Sequence, residues 1–76
     1  MPITIGIPRE SRAGERRVAM VPGVAARLQS EEIQIIVESG AGEAAYISDE
    51  EYREKDVRVV SREEAFEADI VLKVQP

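Results

Sequence analysis

Four short apolar segments, each rich in β-branched residues, recur along a chain of only 76 residues. Segments of this length and composition are typical of β-strands. They occupy residues 3–7, 33–37, 57–60 and 70–74. Helix-start signals fall in each of the three intervals, so the predicted order is β-α-β-α-β-α-β. That alternation predicts an α/β fold in which four parallel strands are joined by right-handed crossovers.

The three predicted helices are marked by different signals. The first begins near Pro22, because the missing N–H of proline costs nothing in the first turn of a helix. Its apolar positions follow helical spacing and form one stripe, made of Val21, Val24, Ala25 and Leu28. The other two helices begin at S-x-x-E capping boxes, at Ser48–Glu51 and Ser61–Glu64.

The length permits one domain, residues 1–76, without a linker. A chain this short buries only about 60–65% of its unfolded surface, so we expect marginal stability. Disulfides and Cys or His metal sites add nothing, because the sequence contains neither residue. At least one sheet edge is expected to stay open, and an open edge pairs readily with another chain. We therefore predict a homodimer or another homo-oligomer.

Composition excludes several classes of function. A net charge of −5 and a pI near 4.7 argue against nucleic-acid binding. No apolar run approaches the 18 or more residues of a membrane span, and no signal peptide is present, so we expect a cytoplasmic chain that does not insert into membranes. Without His or Cys, the chain has no imidazole base and no thiolate nucleophile. We predict no catalytic residue and no metal site.

A glycine-containing segment, residues 40–45, matches the G-x-G-x-x-A pattern of a pyrophosphate cradle. Three features favour a structural turn instead. The next helix signal lies at Ser48, Glu43 would repel a phosphate, and Ser61 stands where an acidic residue is expected after the following strand. We therefore predict no cofactor-binding residue in this chain.

Two cations stand where ligands bind in open α/β sheets, beyond the carboxyl ends of strands. Arg17 closes the loop after the first strand, and Lys73 interrupts the apolar fourth strand. The simpler interpretation is that Lys73 reaches solvent along its stem and that Arg17 belongs to a solvated loop. The alternative is that both converge on one anionic ligand, since arginine can grip a carboxylate with two hydrogen bonds.

Four strings of the sequence, in this order, resemble a known family: IGIPRE, GERRVAMVPGVAARL, VESGAGEAAYISDEEY and ADIVLKVQP. They resemble the N-terminal segment shared by alanine dehydrogenases and the alpha subunit of proton-translocating NAD(P) transhydrogenase. The resemblance implies a flavodoxin-like (Rossmann-like) half-domain, while NAD(H) binds to a separate Rossmann domain later in the parent chain. It also implies that Arg17 and Lys73 hold the substrate keto acid in the dehydrogenases.

The ending K-V-Q-P and the GERR stretch look more like the transhydrogenase version. The resemblance then implies hydride transfer from NADH to NADP in the parent, with membrane subunits as partners and a location at the inner membrane. This chain alone is expected to be an inactive fragment. Two alternatives remain: a silent, self-associating excised or engineered half-domain, and an alanine dehydrogenase fragment with residual keto-acid binding.

The sequence departs from the family at two helix ends. The family places glycine after its first helix and before its third strand, whereas this chain has Ser30-Glu31-Glu32 and Lys55-Asp56. Glycine is the easiest residue for a left-handed helix cap. The substitutions predict altered caps, or a redesigned sequence.

Overall fold

A computed structural model describes residues 3–10 and 17–74 of the chain. The strands are β1 (Ile3–Ile7), β2 (Ile33–Glu38), β3 (Arg58–Val60) and β4 (Ile70–Val71). The α-helices are α1 (Pro22–Leu28), α2 (Asp49–Glu54) and α3 (Arg62–Phe66), and a 3₁₀ turn spans Glu43–Ala45. The predicted alternation of strands and helices is confirmed. The prediction that the fourth strand runs to residue 74 was wrong, because regular pairing with β1 ends at Val71.

All four strands are parallel, and they lie in the order β3-β2-β1-β4. This is the order of the first four strands of a Rossmann sheet. The chain winds outward from β1 through β2 to β3 and then crosses to the other side of β1. Right-handed crossovers therefore place α1 and α2 on one face, called here the first face, and α3 on the second face.

The first face carries the larger core. Ile35 and Val37 of β2 and Ile7 of β1 pack there against residues from α1, α2 and the connecting loops. Tyr52 is the largest fully buried side chain, and its hydroxyl donates a 2.7 Å hydrogen bond to the Met20 carbonyl. Burial of a phenol hydroxyl destabilises the fold unless the hydroxyl has such a hydrogen-bond partner. Tyr52 therefore joins α2 to the chain that enters α1.

Among the described residues, the second face is covered by α3 and the short segment that follows it. Ile36, Val60 and Ala65 are buried there, and Ala68 packs against them. The helix lies so close to β1 that a Cβ added to Gly6 would stand 2.1 Å from the Ala65 carbonyl oxygen. Glycine at position 6 is required by this approach, since any side chain would push α3 off the sheet.

The apolar stripe predicted for α1 exists, but most of it faces solvent. Ala25 is fully buried against the first face, whereas Val21, Val24 and Leu28 expose 43%, 39% and 46% of their surfaces. A seven-residue helix has room for only about two turns of contact. The sequence pattern identified the helix correctly and overstated how much of its stripe the sheet covers.

The two predicted capping boxes differ in the structure. Ser48 and Glu51 form both reciprocal bonds, at 3.3 Å and 2.9 Å. At α3, Ser61 accepts a 3.3 Å bond from the Glu64 amide. The Glu64 carboxylate, however, lies 3.7 Å from the Arg58 guanidinium, so this box is half formed. A competing cation on β3 explains the difference.

The helix ends that lack glycine use two different solutions. After α2, Asp56 adopts a left-handed conformation with φ of 61°, which Asp tolerates better than most residues. After α1, Gln29 is extended, and its side chain donates to the Asp56 carbonyl and accepts from the Ile35 amide. The altered caps predicted from the sequence are present, and Gln29 ties both ends to β2.

Candidate functional site

The winding of the sheet reverses between β1 and β4. In open α/β sheets, ligands bind in the crevice outside the carboxyl ends of the strands at such a point. The chain leaves β1 through residues 8–10 and leaves β4 through residues 72–74. These two segments are called here the switch edge.

Hydrogen bonds hold the two segments of the switch edge together. The Leu72 amide donates to the Gly6 carbonyl at 3.0 Å, which continues the pairing of β4 with β1. Two residues later, the Val74 amide donates to the Glu10 carboxylate at 2.9 Å. The Glu10 side chain thus provides the hydrogen-bond acceptor at the point where the backbone of β1 turns away. Residues 72–74 remain beside β1 although regular strand pairing has ended.

A buried carboxylate anchors the other side of the β1 end. Glu38, the last residue of β2, is 9% exposed and accepts a 2.8 Å hydrogen bond from the Arg9 amide. It also accepts from the Arg62 guanidinium at 3.2 Å. A buried charge needs such partners. Sequence reasoning missed Glu38, although a carboxylate directly after the apolar run IQIIV was the signal available.

Of the two predicted ligand-binding cations, Lys73 lies in the switch edge, and Arg17 lies farther along the chain that leaves it after β1. Lys73 is half-buried between Leu72 and Val74, and Arg17 is exposed in the loop from β1 to α1. Residues 11–16 of that loop, which include Arg12 and Arg16, lie outside the described residues. The parallel sheet therefore places both segments at one edge. That Arg17 and Lys73 bind one ligand stays a prediction.

The local backbone structure accounts for both glycines of the G-x-G-x-x-A segment. Gly40 has a φ of +83°, a conformation that L side chains rarely adopt. A Cβ on Gly42 would stand 2.8 Å from the Ile47 Cβ. The segment then continues into the short 3₁₀ turn, and α2 begins only at Asp49. The geometry favours the structural turn over a phosphate cradle.

The Asp49 carboxylate already accepts the hydrogen bond of the backbone amide that a bound phosphate would need. Its carboxylate accepts from the Gly40 amide at 2.9 Å and from the Ser39 hydroxyl at 2.7 Å. Burial raises the pKa of Asp49, but these two hydrogen bonds and the charge of Arg53 outweigh it and hold the pKa below 3.8. An anionic side chain at this position repels an anionic ligand.

Residues 3–10 and 17–74 provide neither a metal centre nor a membrane-spanning helix. Their acidic side chains form no cluster that could hold a metal ion. None of their helices is long and apolar enough to cross a membrane.

Comparison with known proteins agrees with the resemblance read from the sequence. The family model described as "Alanine dehydrogenase/PNT, N-terminal domain" matches residues 6–76. The chain is 48% identical over 73 residues to NAD(P) transhydrogenase subunit alpha of Cereibacter sphaeroides, covering 93% of this chain and 14% of that protein. It is 34% identical over 71 residues to alanine dehydrogenase 1 of Staphylococcus aureus strain Mu50, covering 93% of this chain and 19% of that protein.

Solved structures give relatives of the same two kinds. An L-alanine dehydrogenase superposes with a TM-score of 0.87 at 29% identity, over 93% of this chain and 20% of that one. A transhydrogenase from Sinorhizobium meliloti superposes with a TM-score of 0.84 at 36% identity, over 92% of this chain and 21% of that one. The chain thus spans between 14% and 21% of the length of these four proteins.

Proposed function

This chain belongs to the alanine dehydrogenase/PNT N-terminal domain family, and we propose that it is the N-terminal segment of the alpha subunit of a proton-translocating NAD(P) transhydrogenase. The observation that carries the proposal is the difference in sequence identity at equal coverage of the chain, 48% to the transhydrogenase subunit against 34% to the dehydrogenase. The ending K-V-Q-P supports the same choice.

In this proposal, residues 1–76 form one truncated α/β domain that contributes structure rather than chemistry. The parent transfers a hydride from NADH to NADP, and NAD(H) binds to a different domain. The absence of His and Cys supports a silent role, since the usual proton-transfer and nucleophilic side chains are lacking. The parent subunit lies in the cytoplasm against the inner membrane, where membrane subunits are its partners.

A segment exchange tests the proposal. The corresponding N-terminal segment of the C. sphaeroides transhydrogenase subunit is replaced by this chain, and NADH-to-NADP hydride transfer is measured. The matched control is the same exchange in the S. aureus alanine dehydrogenase. We expect the transhydrogenase chimera to keep its activity within about fivefold and the dehydrogenase chimera to lose at least about tenfold. The reverse result contradicts the proposal.

Calorimetry of the 76-residue chain adds a second test. A silent segment should release no binding heat when NADH is added up to about 1 mM, a concentration that detects affinities near −4 kcal/mol. Micromolar binding of NAD(H) would overturn the assignment of the cofactor to another domain.

A second candidate, residual keto-acid binding by an alanine dehydrogenase segment, is favoured by one observation. The chain retains both cations: Lys73 lies in the switch edge, and Arg17 lies in the loop that leaves it after β1. A pyruvate titration followed by NMR tests it, with Arg17→Ala and Lys73→Ala compared with the wild type. Shifts near both residues that vanish in either variant are expected. No shifts near either residue in the wild type would exclude this function.

Self-association forms a third proposal and concerns the apolar surface that the fold leaves uncovered. Val24 and Leu28 of α1 are exposed, and β3 and β4 are the edge strands of the described sheet. Edges of this kind pair with other chains. Sedimentation velocity at several concentrations should show a mass that rises with concentration, and a constant monomer mass would refute the proposal.

A further inference from the structure

The hydrogen bond between Glu10 and Val74 lies next to the half-buried lysine of the switch edge. Within a parallel pair, alternate amides of one strand donate to carbonyls of the other. The Leu72 amide follows this rule with the Gly6 carbonyl at 3.0 Å. Two residues on, the Val74 amide donates to the Glu10 carboxylate at 2.9 Å instead. A carboxylate therefore extends the β1–β4 ladder beyond the point where the backbone of β1 has turned away.

This extension confines Lys73 from both sides. The amide before it, that of Leu72, and the amide after it, that of Val74, are each bound to the β1 side of the sheet. The peptide plane of the Val74 amide begins at the Lys73 carbonyl carbon, so a fixed Val74 amide also fixes the ψ angle of Lys73. Without the carboxylate, the Val74 amide would lose this hydrogen bond to the β1 side of the sheet.

The backbone from which the Glu10 side chain extends is itself held in place. The neighbouring Arg9 amide donates to the Glu38 carboxylate at 2.8 Å. Glu38 is buried and paired with Arg62, so it is a firm anchor. Residues 9 and 10 thus connect the carboxyl ends of β2, β1 and β4. Restraint of the backbone that carries Glu10 is what makes its contact with Val74 effective in positioning.

We infer that Glu10 is a positioning residue for Lys73: it holds residues 72–74 beside the carboxyl end of β1 and so fixes the backbone from which the Lys73 side chain extends. Its effect on a ligand rests on the keto-acid binding proposed above. The effect on the backbone does not depend on any ligand. The two are therefore measured separately.

Three variants of the full 76-residue chain test the inference. Glu10→Ala removes the acceptor, and Glu10→Gln keeps an acceptor oxygen without the charge. Glu31→Ala is the control for lost charge, because Glu31 is exposed and lies before β2 at the opposite end of the sheet. Amide hydrogen exchange is measured at Val74 and, as a distant reference, at Tyr52. Pyruvate affinity is measured by NMR shifts at Lys73.

We expect Glu10→Ala to speed exchange at Val74 by about tenfold or more while Tyr52 keeps its wild-type rate. The same variant should weaken pyruvate binding by about tenfold, which is the effect of losing one well-placed contact, here that of Lys73 with the ligand. Glu10→Gln should restore both values to within about threefold, since a neutral acceptor still makes the hydrogen bond. Glu31→Ala should change neither.

The contrary results are distinct. Unchanged exchange at Val74 in Glu10→Ala overturns the inference, and so does equal acceleration at Tyr52, which would indicate general destabilisation. Failure of Glu10→Gln to rescue also overturns it. A wild-type chain that binds no pyruvate excludes the keto-acid proposal alone, and exchange at Val74 then decides whether Glu10 holds the backbone.

Discussion

The first face of the sheet and the second face are stabilised in different ways. Among the described residues, the first face buries eight apolar residues in one cluster beneath α1 and α2, whereas the second face buries three beneath α3. The second face compensates by close approach, since α3 lies directly against Gly6 and its N-terminal Arg62 is paired with the buried Glu38. The first face depends mainly on buried apolar volume, and the second depends on the close fit of α3 and on its ion pairs with β2 and β3.

This difference bears on the site. The switch edge is attached to the second face, because the Glu38 carboxylate that holds the Arg9 amide is paired with Arg62 of α3. Loss of packing on the first face should unfold the chain as a whole. Loss of fit on the second face should first disturb α3 and the end of β1. Paired substitutions on the two faces separate these contributions.

The largest effect is expected from truncating adjacent isoleucines on β2 that point to opposite faces. Ile35 is 0% exposed on the first face and Ile36 is 5% exposed on the second. Ile35→Ala should destabilise the chain by about 4 kcal/mol and Ile36→Ala by about 2 kcal/mol, because a cavity under a single short helix collapses more easily. Urea unfolding followed by circular dichroism measures both. Equal losses would refute the proposed difference between faces.

Adding one methyl group to the second face should cost less than removing the core of the first. Gly6→Ala places a Cβ against the Ala65 carbonyl, so α3 must move, at a cost of about 2–3 kcal/mol. The matched control is Gly23→Ala in α1, where nothing lies within 4 Å of the new Cβ. That control should gain up to about 1 kcal/mol from helix propensity. A tolerated Gly6→Ala would show that α3 is loosely seated. Urea midpoints of the two variants give the comparison.

Alkaline pH should weaken the first face specifically. Burial, with the charges of Asp49 and Glu51 adding to it, raises the pKa of Tyr52 to about 12 from 10.0. The unfolded chain releases this proton first, so the stabilising contribution is complete below pH 10 and is lost as pH rises towards 12. The loss of unfolding free energy between pH 9 and pH 11 should be about 1 kcal/mol.

Tyr52→Phe provides the control for this pH dependence. The variant should lose about 1 kcal/mol at pH 7, because the hydrogen bond to the Met20 carbonyl is removed. Its stability should then fall less steeply than that of the wild type between pH 9 and pH 11. Parallel slopes in the two proteins would show that Tyr52 is not the group responsible.

The smallest effect is expected at the end of α2, where relief of backbone strain should stabilise the chain. Asp56→Gly should gain about 0.5–1 kcal/mol, since glycine adopts the left-handed conformation without a Cβ penalty. The Asp56 carbonyl, which accepts from Gln29, is kept in the variant. Asp56→Ala is the opposing control and should lose stability in thermal unfolding. A loss in Asp56→Gly as well would mean that the Asp side chain itself stabilises the turn.

The fold could be predicted from the sequence because its main signals are local. The β-branched runs and the two serine caps mark the elements within a few residues, and the βα alternation leaves few topologies. Two errors have a physical reason in contacts between distant residues. The stripe of α1 is only partly covered because a helix of seven residues makes little contact with the sheet. In the second capping box, the Glu64 carboxylate lies near Arg58 of β3.

The candidate site was less accessible to sequence reasoning. The pattern indicated Arg17 and Lys73 because lone cations near strand ends are conspicuous. It missed Glu10 and Glu38, since a carboxylate in a charged loop and one at the end of a strand look like ordinary surface residues. Their importance depends on backbone amides at Val74 and Arg9, and such pairings become visible only when the strands are placed side by side.

The position of β4 in the sheet has a consequence for the kinetics of folding. β1 and β2 are joined by one short crossover, but Ile70 of β4 pairs with Ile5, 65 residues earlier. Closing so long a loop for a two-residue strand is entropically slow. We therefore expect β4 to dock last, with low φ-values at Ile70 and Val71. A ligand held at that edge would slow unfolding far more than it would speed refolding.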